Sequence, residues 1–191
     1  MWAAVVSPLA RLDHQLLTAH MAQHLLLMTV AAPLILLGAP PMRLHFHPVL
    51  CWLTSTAVVI GWHVPALFEL GMKSKSWHEV EHASFLAAGL LFWWPVIGRK
   101  LRWSIPLYLF LATLPCDALS AFLTFCDRVV YPHYLHAHRL FDISPLGDQE
   151  FAGALMWVCI TFAYLGPATV VTFQLLSPQR RTSPYGGAPH E

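Results

Sequence analysis

Five apolar stretches dominate this 191-residue chain, at about residues 16–37, 49–70, 77–97, 105–125 and 150–176. Each has the ~20 residues that a helix needs to cross a bilayer. Only 11% of the chain is charged and 57% is hydrophobic, whereas soluble domains carry about 25% charged residues. The expected fold is therefore an all-α membrane protein, a bundle of about five transmembrane helices. It forms one domain over residues 1–176, and the polar tail 177–191 is expected to be disordered.

The breaks between the stretches are chemically explicit. Gly38-Ala39-Pro40-Pro41 ends the first, and Pro65 is expected to break or bend the last turns of the second. Trp93-Trp94-Pro95 marks an interface at the far end of the third. Pro115 and Asp117 lie near the middle of the fourth. A connection rich in His and Tyr, residues 126–149, leads to the fifth. The cysteines, at 51, 116, 126 and 159, form no CxxC pair, so a disulfide framework is not expected. A net charge of +1 leaves no electrostatic case for nucleic acid. The N-terminus lacks a basic region followed by an apolar run and a small-residue site, so no cleaved signal peptide is expected.

Five spans put the termini on opposite sides. Arg43, the Arg99/Lys100/Arg102 cluster and Arg180/Arg181 share one side, and Arg11, Lys73, Lys75, Arg128 and Arg139 the other. The tight clusters beside span ends make the first side cytoplasmic and put the N-terminus outside. This topology has a consequence for the twelve histidines. His20 and His24 are four apart, on one helix face about 40° apart around the axis. His78 and His82 repeat that spacing. Alternating direction brings both pairs, and His63, to the same outer side of the bundle.

Ionisable groups inside a span are costly and usually face the bundle interior or a wet cavity. Neutral imidazole suits copper and zinc, and thioethers add a preference for Cu(I). The candidate metal ligands are therefore His20, His24, His63, His78 and His82. Met28, Met156, Asp117 and Asp148 are auxiliary candidates on the same side. A single interfacial His is more often an ordinary hydrogen-bonded residue, and methionines are more often core filler. Two pairs plus His63 on one side favour metal binding. Two other chemistries fit part of the pattern. His78-Glu79-Val80-Glu81-His82 matches H-E-x-x-H, which would make an intramembrane zinc metalloprotease with Glu79 as general base. Histidines on facing helices would also ligate haem. Tyr131-Pro132-His133-Tyr134-Leu135-His136-Ala137-His138 reads as a metal-capture loop or as a solvated connection.

Five ordered blocks resemble the CtaG family of caa3-type cytochrome c oxidase assembly factors. They are His20–Met28 with Ala32-Pro33-Leu34 and Leu37–Pro40; Trp62-His63-Val64-Pro65; His78 through Glu81-His82, with Phe85-Leu86 and Gly89–Val96; Tyr131–Tyr134; and Asp148–Trp157. Glu79 and the His-rich middle of the long loop depart from the family pattern. Family members often have further N-terminal spans, and this chain starts just before the first block. The resemblance implies a multi-pass inner-membrane protein that is not an enzyme. It would handle copper at its outer, periplasmic face and deliver it to subunits of a haem–copper oxidase. The positions carried over are His20, His24, His63, His78, His82, Asp148 and Met156. A homodimer sharing the site is an open arrangement.

Overall fold

The computed structural model describes residues 12–40, 46–97, 103–135 and 142–177. Arg11, Arg43, His45, the Arg99/Lys100/Arg102 cluster, His136, His138, Arg139 and the Arg180/Arg181 tail lie outside them, and with them most of the charges used to orient the chain.

Among the described residues the fold is all helix. Helix α1 spans Leu17–Gly38, α2 Pro48–His63, α3 Pro65–Lys73, α4 Lys75–Ile97, α5 Ser104–Phe125 and α6 Pro145–Leu176. Four of these are long and apolar enough to cross a membrane, and the α2–α3 pair makes a fifth if it is one bent span. Large apolar side chains such as Phe125, Phe162 and Phe173 face outward, as expected where the surrounding medium is itself apolar. The chain is a multi-pass membrane protein.

The expected second span is two helices meeting at 75°. Pro65 drives Val64 out of helical geometry, to φ −66°, ψ 126°, and itself opens α3, where a missing N–H does no harm. The last helix starts at Pro145, five residues before the position expected from hydropathy. Its first turn is polar, with Ser144 accepting a 3.0 Å hydrogen bond from the Gly147 amide. At 32 residues α6 is about 48 Å long, more than the ~30 Å of a hydrocarbon core.

That extra turn ties the bundle together. Asp148 Oδ2 accepts from the Leu17 amide at 2.7 Å, and Oδ1 from the Thr18 amide at 3.1 Å and the Thr18 hydroxyl at 2.7 Å. It supplies the cap that Leu16 cannot provide to α1. Its neighbour Gln149, fully buried, donates to the carbonyls of Leu123 in the last turn of α5 and of Arg128 just beyond it, and accepts from the Val130 amide.

α1 widens to a π turn over Leu26–Ala31. Pro33 explains it, because the ring has no N–H and clashes with the preceding turn. The Ala32 amide donates to Leu27 O, one residue further back than in an α-helix. Pro33 cannot make the next such bond to Met28 O, which accepts from Trp93 Nε1 at 2.9 Å instead. α4 approaches closely here because Gly89 faces this turn; a Cβ on Gly89 would lie 3.0 Å from Met28 Cα.

Candidate metal centre

α1 and α4 present their histidine pairs to each other. Ring centres are 4.3 Å apart for His20 and His24 and 4.2 Å for His78 and His82. Between the helices His20 is 5.6 Å from His78, and His24 is 5.4 Å from His82. Glu81 lies among them. Its Oε1 is 3.3 Å from His20 Nε2 and 3.7 Å from His24 Nε2, and its Oε2 is 3.4 Å from His78 Nδ1. Ligand atoms of His20, His78 and Glu81 all lie within 4.8 Å of one another. The carboxylate fits because α3 offers Gly71 there; a Cβ would meet Glu81 Oε2 at 2.7 Å.

The polar atoms of this cluster are buried and unsatisfied. Both ring nitrogens of His20 and of His24, His78 Nδ1, His82 Nε2 and both Glu81 oxygens have no hydrogen-bond partner among the described residues. Each buried orphan costs about 1–3 kcal/mol, and native interiors hold few of them. A cation would satisfy several at once.

Two rings are already set for ligation by their other nitrogen. His63 Nδ1 is 2.7 Å from Val59 O. A carbonyl only accepts, so Nδ1 carries the proton, and the buried, unpartnered Nε2 keeps its lone pair. His78 Nε2 donates to Asp13 Oδ2 at 3.0 Å, which leaves Nδ1 toward Glu81. This is the carboxylate–histidine arrangement that orients metal ligands. Phe85 stacks on the His24 ring at 3.9 Å and 18°, holding its plane.

Next to the cluster is a cavity of about 30 Å³, room for a water or a bare ion. His24, His63, Met21, Met28, Met156 and Cys116 line it. The thioethers of Met28 and Met156 therefore face the same space as two of the imidazoles. The auxiliary carboxylates do not join them. Asp148 is the α1 cap described above. Asp117 is half-buried on α5 beside Thr113, and no hydrogen bond or ion pair links it to a histidine among the described residues. Membrane side suggested Asp117, and membrane side with the family resemblance suggested Asp148; neither says anything of rotation about the helix axis.

Above the cluster the chain before α1 meets the turn Pro132–Leu135. Tyr134 donates to Asp13 O at 2.7 Å, Tyr131 to His63 O at 3.1 Å, and the His133 amide to Glu69 Oε1 at 2.9 Å. Burial pushes both phenols up, so they remain donors. Burial alone would raise the Asp13 carboxyl. The hydrogen bond from His78, aided by the charge of His14 and His78, outweighs it and holds the group below its ordinary range. Burial also lowers His14, against the pull of Asp13.

Glu81 and Asp13 are the residues that sequence reasoning passed over. Glu81 had a signal, since i, i+3 and i+4 put His78, Glu81 and His82 on one face. The H-E-x-x-H match drew attention to Glu79 instead. That side chain is 66% exposed and pairs with Lys75 at 3.9 Å, so the base required by the protease reading points away from the cluster.

No curated protein and no solved structure matches the chain. The family model described as cytochrome c oxidase caa3 assembly factor (Caa3_CtaG) matches residues 1–177, the whole bundle and everything that builds the cluster. The chain therefore belongs to the family of cytochrome c oxidase caa3 assembly factors.

Proposed function

We propose that this assembly factor binds copper in the cluster between α1 and α4 and delivers it to a haem–copper oxidase during maturation. One observation carries the reading: four histidines and Glu81 converge with most of their inward-facing polar atoms buried and without a hydrogen bond, beside a cavity lined in part by thioethers. Imidazole with thioether is a donor set for copper, and Cu(I) above all. His20, His24, His78 and His82 are the main ligands, with Glu81 as a charge-balancing one. His63, Met28 and Met156 hold the ion on the cavity side. Asp13 orients His78. Delivery follows from ligand exchange with the oxidase subunit and needs no covalent chemistry. One chain brings these side chains together by itself. The metal-bearing end faces the periplasm, with the protein in the inner membrane.

Metal analysis of the purified chain under reducing conditions tests this. Wild type should retain copper, and His20→Ala/His24→Ala should lose it. A wild type that binds none ends the copper reading and leaves only a scaffolding role in assembly.

A second reading draws on the trio His20, His78 and Glu81, since two His and one Glu also form a zinc donor set. Preferential retention of zinc over copper would favour it. Proteolysis that disappears in Glu79→Gln would be needed for a zinc protease. We expect Glu79→Gln to leave metal content unchanged. A Soret band in the purified protein would be needed for a bis-histidine haem.

A further inference from the structure

We propose that His14 and His133 form an outer relay site, a second and transient copper position between the surrounding medium and the buried cluster. This rests on the copper reading above and adds a route to it.

The imidazoles continue past the cluster to the surface. His78 is followed by His14 at 5.4 Å and His14 by His133 at 6.2 Å, ring centre to ring centre. With metal–nitrogen bonds of about 2.0 Å, two imidazoles sharing one ion have their ring centres from about 5 Å apart at a tetrahedral angle to about 6.3 Å apart in a linear arrangement. Exposure rises along the same path. The side chain of His20 is 0% exposed, that of His78 12% and that of His14 52%. His78 faces both ways, with Nε2 toward Asp13 and Nδ1 toward Glu81.

The outer pair is held in place. Tyr134, next to His133, donates to the carbonyl of Asp13, next to His14. Glu69 fixes the His133 amide from α3. Asp13 Oδ1 accepts from the His14 amide at 2.7 Å while Oδ2 holds His78, so one carboxylate links the outer position to the inner one and supplies negative charge to a passing cation. The ion moves by exchange of one donor for the next and keeps its oxidation state. A fully buried site without such a step would have to shed or gain all its donors at once.

The test follows Cu(I) moving from the detergent-solubilised full chain to a chromophoric Cu(I) chelator by stopped flow. In His14→Asn/His133→Asn the copper content and equilibrium affinity should match wild type, and transfer should slow about tenfold, the scale on which outer partners of a metal site act. In the His133→Asn background, His14→Cys restores a ligand atom and should recover speed, whereas His14→Phe restores only the ring and should not. Unchanged transfer in the double variant overturns the relay. So does equal recovery by Phe, which would make the role one of packing, and so does loss of bound copper, which would make these residues part of the buried site. A wild type that binds no copper defeats the underlying reading, and the relay with it.

Discussion

The two ends of α4 solve the problem of buried polarity in opposite ways. Toward its C-terminal end Phe92 and Trp93 pack with Tyr108 and Tyr164, ring centres about 5–6 Å apart. There Trp93 Nε1 donates to Met28 O and the Tyr108 hydroxyl to Phe92 O, each at 2.9 Å. Toward its N-terminal end His78, Glu81 and His82 meet His20 and His24, and most of their inward-facing atoms have no hydrogen-bond partner among the described residues. One end is complete as a packed core. The other leaves buried donors and acceptors without a hydrogen bond, which on the copper reading a bound ion supplies. On that reading the same helix, in the same apolar surroundings, separates stability from function along its length.

That separation can be broken experimentally. The largest effect should come from Glu81→Gln. Copper affinity should fall about 10–100-fold, while the thermal midpoint of the metal-free protein stays close to wild type, because the amide fills the same space beside His20 and His78. Isothermal titration and a melting curve on the same preparation read both. A metal-free protein that melts much earlier would make Glu81 a structural residue and erase the contrast.

Trp93→Phe should do the reverse. It leaves Met28 O without its donor, at about 1–3 kcal/mol of stability, seen as a lower midpoint. Affinity measured below that midpoint should stay close to wild type. A large affinity loss would show that the π turn below His24 sets the geometry of the cluster.

The smallest effect concerns the contact between Asp13 and His78. A carboxyl held below its unfolded value stabilises the fold above that value, and the contribution fades as pH falls through the folded one. The metal-free protein should therefore lose stability on acidification below about pH 4, starting near the ordinary Asp13 value of 3.8. Asp13→Asn should flatten that limb of a melting-temperature profile. An unchanged profile would remove Asp13 from the set of groups that hold the outer end.

The parts of this design that repeat locally were readable in the residues. Span lengths follow from apolar runs, the bend follows from Pro65, and an i, i+4 pair is on one helix face whatever the fold. Family blocks extended that reading to the oxidase pathway. What could not be read locally were contacts that join distant positions. Asp148 carries its chemistry to Leu17, 131 residues away, and no pattern around Asp148 distinguishes a cap from a ligand. Asp13 meets His78 across 65 residues, with an equally silent local sequence. Glu81 shows a subtler limit. The helical period placed it correctly, but a short motif with a known chemistry pointed to its exposed neighbour.

The cap on α1 also orders events in time. Leu17 and Thr18 find their acceptor 131 and 130 residues further along, in a helix made after the other described ones. Until Asp148 arrives, the turn that carries His20 has no anchor at its start, and the histidines of the first and third spans have no reason to settle face to face. On the copper reading, loading therefore waits for α6: a chain cut before Asp148 should not hold the ion.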